Sequence, residues 1–411
     1  MGSFMKKNAL KYVLCFVTAV LICAGIGSAA KKKNAAKKTD PKKAAAKKDE
    51  KKVDKRDVAD KLLLEKERQK GPSFPGKDPA FLVLPRKTER STMPGKLMTP
   101  GVVKMKDRAL EYLASNQDAD GGWSDTQFPS NTGVTALVCL AFMAEGSRPN
   151  IGKYGKHLSQ GLEFLLRNTK DNGIIAGKGS NPLGPMYEHA YSTLALLLAV
   201  GDFPWHPETR DKLGRAIQAI HESQRLDGGW RYQFSTEGHS DMSVTATMLW
   251  VLRTAKKSGY TVSVKTIKKG VRFIERCAEP DGTFRYRYWG LHSSPRLSGT
   301  AVIALCQQGD VSHPRIPATV NRIAYEYDRY TVEDLKERRY FVYGTFYASL
   351  GMYVVGDEYW IPFFQKVVRV LKAMQRKDGE FYDDHDNVMY PTALTAILLQ
   401  APYGYLPIYE R

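Results

Sequence analysis

Six strongly apolar segments recur along the chain, and each carries a threonine near its start. They read TALVCLAFMA, TLALLLAV, TATMLWVL, TAVIALC, TFYASLGMYVV and TALTAILL, and their threonines stand 45 to 58 residues apart. Because every face of such a segment is apolar, the pattern predicts helices that are buried on all sides. The threonines are Thr135, Thr193, Thr245, Thr300, Thr345 and Thr392.

A second helix with an amphipathic pattern precedes each apolar segment. The six examples read RALEYLA, GLEFLLR, RAIQAIHE, GVRFIER, NRIAYEY and VVRVLKAM. Apolar residues at i, i+3, i+4 and i+7 bury one stripe and leave a solvated face. Each repeat of about 50 residues would then hold an outer helix, a turn, a polar loop and an inner helix. The pattern therefore predicts an all-α fold, an α/α toroid of six helical hairpins over residues 101–411, with inner and outer rings of helices.

Four of the six turns that follow the outer helices share a glycine and a nearby aromatic residue. They read NQDADGGW, SQRLDGGW, CAEPDGTF and MQRKDGEF, whereas NTKDNGII and YDRYTVED of repeats two and five lack the pattern. The glycines can adopt the positive φ that a helix end requires, and the aromatic ring can pack under a neighbouring unit. We assign structural roles in these turns to Gln117, Gly122, Trp123, Gln224, Gly229, Trp230, Phe284, Gln375 and Phe381.

These turns resemble the QW-type motifs of squalene cyclases and other terpenoid cyclases, whose fold is shared with the β subunits of protein prenyltransferases. SNQDADGGW and SQRLDGGW carry the resemblance, which covers roughly residues 101–411. It implies an α/α toroid. More narrowly, the chain resembles the secreted bacterial prenyltransferase and squalene oxidase repeat proteins, a group known by sequence and not by activity.

The motifs that carry this superfamily's chemistry are missing. Class II terpenoid cyclases protonate their substrate with a D-x-D-D-T-A motif, in which packed carboxylates keep one group protonated. The matching segment, DMSVTA from Asp241 to Ala246, has Ser243 and Val244 at the two central positions. Prenyltransferases bind their zinc through an Asp-x-Cys pair, which is also absent. The sequence therefore argues against both activities and predicts neither a cofactor nor a metal.

The polar loops before the inner helices hold the candidate ligand-binding residues. Loop three reads RYQFSTEGHSD and loop four reads RYRYWGLHSSPRL. Aromatic faces stack on rings and arginines bind carboxylate or phosphate, so these loops suit a sugar, an anionic glycan or an isoprenoid phosphate. Alternatively, the rings seal gaps between hairpins and the arginines are solvated. The candidates are Arg231, Tyr232, Arg285, Tyr286, Arg287, Tyr288 and Trp289.

Ionisable residues near the heads of inner helices two and three are candidates for acid–base catalysis. Carboxyl and imidazole groups that face one axis could transfer protons. The alternative is that they are helix caps and surface groups. Another loop, DDHD from Asp383 to Asp386, is either a metal site or a solvated acidic cluster. The acid–base candidates are Asp241, Glu188, His189 and His239.

The net charge of +19 is concentrated near the N-terminus. Residues 1–30 carry +3 and residues 31–56 carry +9, which leaves +7 for all the others. This distribution argues against nucleic-acid binding by the repeats. Lysines precede an apolar run within residues 1–30, which are predicted to be a signal peptide or, through residues 12–29, a membrane anchor. The protein is therefore expected to be exported, to the periplasm or the extracellular space.

Residues 31–58, rich in lysine and alanine, are predicted to be a disordered tail. The tail is either a spacer or an attachment to an anionic cell-envelope surface. Residues 59–100 are predicted to be an extended linker that packs on the domain. Cys139, Cys277 and Cys306 have no paired spacing and indicate no disulfide framework.

Three hypotheses about function follow from the sequence. In the first, the protein is an exported binding module that holds a glycan, a lipid or a protein segment in the centre of the toroid. In the second it is an enzyme, either a cyclase with a relocated acid or a polysaccharide lyase or hydrolase. In the third it is a cell-envelope scaffold tethered by the basic tail.

Overall fold

The computed structural model describes residues 94–177, 180–181, 184–202, 208–290, 293, 295–306 and 311–406. All of these residues belong to one compact unit. The predicted signal or anchor (1–30), the predicted tail (31–58) and most of the predicted linker (59–100) lie outside the described residues.

The described end of the predicted linker begins with a short helix, Pro94–Leu97, and so is not extended throughout. Proline suits the first position of a helix because its φ is already fixed and its missing N–H is not needed there. This helix contacts the segment Ala401–Tyr403 near the C-terminus, and Leu97 is buried. The end of the linker therefore packs on the domain in helical form.

The described secondary structure is helical, with isolated bridges and no strands. None of these helices is both long enough and apolar enough to span a membrane. In chain order they are α1 Pro94–Leu97, α2 Pro100–Ser115, α3 Thr132–Ala144, α4 Gly155–Arg167, α5 Met186–Ala199, α6 Thr209–Glu222, α7 Met242–Lys257, α8 Val264–Arg276, α9 Pro295–Cys306, α10 Ile316–Arg329, α11 Val332–Lys336, α12 Phe341–Val355, α13 Asp357–Met374 and α14 Met389–Leu399.

Six of the helices form a closed inner ring. Helices α3, α5, α7, α9, α12 and α14 each contact the next one, and α14 contacts α3 to complete the circle. The outer helices α4, α6, α8, α10 and α13 each pack chiefly on the inner helix that precedes them in the chain, and α2 packs on α14. The predicted α/α toroid with two rings of helices is confirmed.

Burial differs between the rings as the hydrophobic pattern predicts. All eleven residues of α14 are buried, whereas α8 buries Thr266, Gly270, Phe273 and Ile274 out of thirteen residues. An inner helix has neighbours on both sides in its own ring and an outer helix behind it. Polar side chains on any of these faces would lose their hydration without gaining a hydrogen-bond partner. The apolar runs are therefore needed for the ring to close.

The glycine–aromatic turns connect each outer helix to the inner ring through buried hydrogen bonds. The Trp230 backbone N–H donates to the Thr245 hydroxyl at 3.0 Å, and the Trp230 indole N–H donates to the Ile220 carbonyl at 2.7 Å. Trp123 makes the same two bonds, to Thr135 and Leu113. These bonds satisfy a buried indole and a carbonyl at the end of the outer helix, which has no partner within the helix.

The turn glutamines join neighbouring outer helices. Gln224 Nε2 donates to the Gly228 carbonyl in its own turn and to the Thr266 carbonyl in α8, each at 2.8 Å. Gln117 bridges to His157 of α4, and Gln375 bridges to Met105 of α2, which closes the outer ring between the last and first repeats. One amide therefore holds a turn and the next unit together.

The side chain that accepts the hydrogen bond from the turn N–H is not always the threonine near the start of the apolar run. In repeat four the Phe284 N–H donates to Ser298, not to Thr300. In repeat two the Ile175 N–H donates to Nδ1 of His189, one helical turn before Thr193. The shared feature is the fourth residue of the inner helix, because that position faces the turn. Threonine, serine or histidine can accept the bond there.

Candidate functional site

A cavity of about 100 Å³ lies at the centre of the toroid, around the first turns of the inner helices. Its lining is mostly apolar and aromatic and comes from α3, α5, α7, α12 and α14 and from the loops before α3, α5, α9 and α12. Six tyrosines dominate it, and Glu188 is the one carboxyl among the described residues that line it. These tyrosines are Tyr187, Tyr191, Tyr286, Tyr340, Tyr343 and Tyr390.

Tyrosine hydroxyls cross the ring in a hydrogen-bonded network. Tyr187 of α5 bonds Tyr343 of α12 at 3.0 Å, and Tyr191 bonds Tyr347 in the same way one turn deeper. Tyr347 also bonds the Thr247 hydroxyl of α7 at 3.2 Å. Burial raises the pKa of Tyr187 and Tyr191 well above the ordinary value, so the hydroxyls stay neutral. The floor of the cavity is therefore hydrogen-bonded and uncharged.

Glu188 stands in the first turn of α5 and is 5% exposed. Its carboxylate accepts hydrogen bonds from the Asn181 N–H at 2.7 Å, the Ser180 hydroxyl at 2.8 Å and the Thr132 hydroxyl at 3.2 Å. Burial raises the pKa of Glu188, and these hydrogen bonds oppose that rise. The residue thus ties the loop before α5 to the head of α3.

Asp241 is the N-cap of α7 and is fully buried. Its Oδ1 accepts from the Val244 N–H at 2.9 Å. Burial raises the pKa of Asp241 to about 6, against the opposing effects of the Val244 N–H and of Arg231 and Arg287. The position is thus a helix cap with a carboxyl that titrates near neutral pH.

Ser243 occupies the position where a cyclase would have a central aspartate, and its side chain lines the cavity. Val244, at the next position, is fully buried and does not line it. One of the two central positions of the segment therefore faces the cavity. A hydroxyl therefore stands where a strong acid would need a carboxyl. A serine hydroxyl is far too weak an acid to protonate a substrate in the same way.

The two histidine candidates lie in different environments. His189 is completely buried, and its Nε2 bonds the Ala216 carbonyl at 3.1 Å while Nδ1 accepts from Ile175. These contacts assign the proton to Nε2, and burial lowers the pKa of His189 to about 4. His239 is exposed, and its ring lies 4.2 Å from that of Trp289. Neither histidine lines the cavity.

The ligand-binding candidates divide into paired and unpaired side chains. Tyr232 and Tyr286 are buried with their hydroxyls bonded to each other, and Arg285 Nε forms an ion pair with Glu279 at 2.8 Å. Tyr288 packs under the Arg276 guanidinium, whose carbon lies 3.7 Å from the ring centre. Arg231 and Arg287, between repeats three and four, are half-buried and form no ion pair among the described residues, and Trp289 is 40% exposed.

The acidic loop Asp383–Asp386 is organised by internal bonds. Asp383 is buried and accepts from the His385 and Asn387 N–H groups and from the Tyr390 hydroxyl. Asp384 accepts from the Tyr340 N–H at 3.0 Å. Among the described residues no group of His, Cys, Asp and Glu is placed to hold a metal ion.

Two features of the site were not predicted from the sequence. The first is the set Tyr187, Tyr191, Tyr343 and Tyr390, which stand inside the apolar inner helices. The second is Asp125, which accepts from the N–H groups of Val388 at 2.9 Å and Tyr390 at 2.8 Å and so caps α14 where the ring closes. Tyrosines repeated within apolar runs were a usable signal for the first feature. Nothing in the sequence around Asp125 indicated that this residue would cap a helix of the last repeat.

The fold and the cavity define a class of protein, an α/α toroid whose inner helices open onto a central tyrosine-lined site. The prenyltransferase alpha-alpha toroid domain matches residues 186–332 and 286–392, which together cover about half of the chain. The chain belongs to this family, and the superfamily expected from the turn motifs is confirmed.

Curated relatives with similar sequences are squalene–hopene cyclases. The one from Alicyclobacillus acidocaldarius is 24% identical over 309 residues, which are 72% of this chain and 42% of the relative. The one from Zymomonas mobilis is 22% identical over 217 residues, which are 47% of this chain and 31% of the relative. The chain thus spans less than half the length of the curated relatives it matches.

Solved structures with the same fold have different activities. The type II terpene cyclase MstE from Scytonema matches with a TM-score of 0.53 and 14% identity over 75% of this chain and 100% of its own. The GH76A alpha-1,6-mannanase from Salegentibacter sp. HEL1_6 matches with a TM-score of 0.54 and 9% identity over 74% of this chain and 100% of its own. Such low identities show a shared fold and nothing about the reaction.

Proposed function

We propose that this squalene-cyclase-like toroid is an exported binding protein that holds a compact ring or apolar group in its central cavity without cyclase chemistry. The observation that carries the proposal is the placement of Ser243. The position that would hold the acid faces the cavity and bears a hydroxyl, while the cavity itself is retained. A retained cavity without its acid fits binding better than turnover.

The size and lining of the cavity support a small guest. Pockets for drug-sized ligands measure roughly 300–1,000 Å³, whereas this cavity measures about 100 Å³. A long terpene would not fit without rearrangement of the tyrosine network that forms the floor. A single ring or a short apolar branch would fit, and the tyrosine faces offer it dispersion contacts.

Export is the part of the proposal that rests on sequence alone. The apolar run within residues 1–30 and the basic tail at 31–58 fit a secreted or envelope-tethered protein that meets its ligand outside the cytoplasm. Cell fractionation of the full-length protein, with mass spectrometry of its N-terminus, tests both export and cleavage. Recovery of uncleaved chain in the cytoplasm alone would contradict this part.

A cavity-filling substitution tests the binding site directly. The full-length protein would be screened against glycans and lipids by native mass spectrometry, and each bound compound would be tested again with Leu137→Phe, which adds a ring to the cavity wall. The matched control is Leu226→Phe, the same change at a residue that is 94% exposed. We expect Leu137→Phe to abolish binding and Leu226→Phe to preserve it. Equal binding by both variants would exclude the cavity as the site.

An enzymatic function is the second candidate, and two buried carboxyls favour it. Burial raises the pKa of both Glu188 and Asp241, and carboxyls in different environments can take different roles as acid and base. Both terpenoid cyclisation and polysaccharide cleavage occur on this fold among the structural relatives. Release of reducing ends or of cyclised product from candidate substrates, lost in Glu188→Gln, would establish this function in place of simple binding.

A further inference from the structure

Three arginines, one buried and two half-buried, converge between repeats three and four, next to the buried Asp241. The guanidinium carbon of Arg231 lies 5.3 Å from the ring centre of Tyr232, and that of Arg287 lies 5.6 Å from the ring centre of Tyr286. Because the hydroxyls of these two tyrosines bond each other, the two guanidinium groups flank one tyrosine pair.

The third arginine, Arg225, is 6% exposed and comes from the glycine–aromatic turn of repeat three. Its Nη1 donates to the His239 carbonyl at 3.0 Å. Burial lowers the pKa of both Arg225 and Arg287, and the charge of Arg231 lowers both further. The three cations therefore stand close enough to repel one another.

The cluster has more positive charge than its surroundings neutralise. None of the three arginines has an acidic partner within ion-pair distance among the described residues, and residues 291, 292 and 294 of the adjoining loop are not acids. Asp227 nearby is occupied by the N–H and hydroxyl of Ser240. Asp227 and Asp241 together supply two negative charges at most, against three positive ones.

Several N–H groups of the cluster are buried without an acceptor in the part of the chain that the structure describes. They are Nε and Nη2 of Arg287 and Nε of Arg225, with no acceptor among the described residues. Leaving a buried charged donor without a partner is strongly unfavourable, because its lost hydration is not replaced. An arginine fork matches the two oxygens of a carboxylate or phosphate, so an oxyanion is the group that would satisfy these donors.

An exposed aromatic face lies beside these donors. The Trp289 ring is 40% exposed, and its centre lies 5.9 Å from the Arg287 guanidinium carbon. Tyr288 packs edge-on against it with ring centres 4.4 Å apart, and the His239 ring centre lies 4.2 Å from it. A fixed and exposed indole next to an oxyanion site suits a sugar ring that bears an acidic group.

We propose that Arg231 and Arg287 bind the carboxylate or phosphate of an anionic sugar, with Arg225 behind them and Trp289 stacked on the sugar ring. The inference deepens the proposed binding function by naming the class of ligand, and it rests on that function. The site lies on the rim next to Tyr286, which also lines the cavity, so a ligand held here could place a second group inside.

The test is isothermal titration of the full-length protein with glucuronate, glucose 1-phosphate, inorganic phosphate and glucose. We expect glucuronate and glucose 1-phosphate to bind at least tenfold more tightly than glucose. Arg287→Gln and Arg231→Gln should each weaken both by at least tenfold. The matched control is Arg285→Gln, in the same loop but already paired with Glu279. The basic tail contributes equally to all variants, so differences between them report the site.

The remaining arms distinguish the parts of the proposal. Trp289→Ala should weaken glucose 1-phosphate and leave inorganic phosphate unchanged, and equal affinity of the wild type for both would overturn the role of the indole. Equal losses in the Arg285 and Arg287 variants, or no binding of any anion, would overturn the site. Leu137→Phe should leave phosphate binding intact, so that failure of the cavity and failure of the anion site give different patterns.

Discussion

Replacing Asp241 with asparagine separates the charge of this residue from its role as a helix cap. Asparagine caps helices about as well as aspartate, and its Oδ1 can accept from the Val244 N–H as the carboxylate does at 2.9 Å. The variant therefore keeps the bond at the head of α7 and loses only a buried negative charge. The consequence for stability then depends on pH in a calculable way.

The direction follows from the folded-state pKa of Asp241, which burial raises from 3.8 to about 6. Between these values the folded protein binds a proton that the unfolded chain releases, so the stability of the wild type falls as pH rises through this window. Integrated from pH 4.5 to pH 7.5, the loss is about 2 kcal/mol. The asparagine of the variant cannot titrate, so the variant should not show this loss.

The assay is urea-induced unfolding of wild type and Asp241→Asn at pH 4.5 and pH 7.5. The free energy of unfolding of the variant, relative to wild type, should increase by about 2 kcal/mol between these two pH values. Differences that do not depend on pH cancel in this comparison. Asp171→Asn, at an exposed turn residue, is the control for general charge effects. A relative stability that is flat, or that falls with rising pH, would refute the assignment of Asp241 as a buried carboxyl held near neutrality.

Three further substitutions test the ring itself. Thr245→Val should destabilise the protein by about 1–3 kcal/mol in urea unfolding, because it leaves the buried Trp230 N–H without an acceptor. His189→Gln should reduce the loss of stability on acidification from pH 6.5 to pH 4 by up to about 3 kcal/mol. Burial lowers the pKa of the imidazole in the folded protein to about 4, so on acidification the unfolded chain takes up a proton before the folded protein does. Glutamine removes this difference. Gly228→Ala should cost about 1–3 kcal/mol, seen as a lower Tm, because φ is +97° and the new Cβ would lie 2.6 Å from the Lys269 carbonyl oxygen.

The ring could be predicted from the sequence because its main constraint is local. A helix enclosed by other helices must be apolar on every face, and six such runs at similar spacing leave few arrangements besides a closed ring. The threonines marked the start of each apolar run in the sequence, but residue type does not decide which side chain accepts the turn N–H. The structure selects it by helical position instead, so His189 and Ser298 replace Thr193 and Thr300 in repeats two and four.

The site was less predictable because it depends on contacts between distant repeats. Tyr187 and Tyr343 bond each other although 156 residues separate them, and neither helix alone indicates the partner. Within the sequence RYRYW the two arginines are equivalent by composition. Only the position of Glu279, at the preceding turn, pairs Arg285 and leaves Arg287 without an acid partner among the described residues.

The balance between binding and catalysis depends on Glu188, because Asp241 caps α7 and does not line the cavity. A general acid must present a proton to the substrate, with its carboxyl free to turn toward the reacting atom. Glu188 instead accepts from Ser180 and Asn181 of the loop before α5 and from Thr132 at the head of α3. A substrate would have to displace these donors before the carboxyl could act. The arrangement therefore favours a carboxylate that shapes the cavity over one that reacts within it.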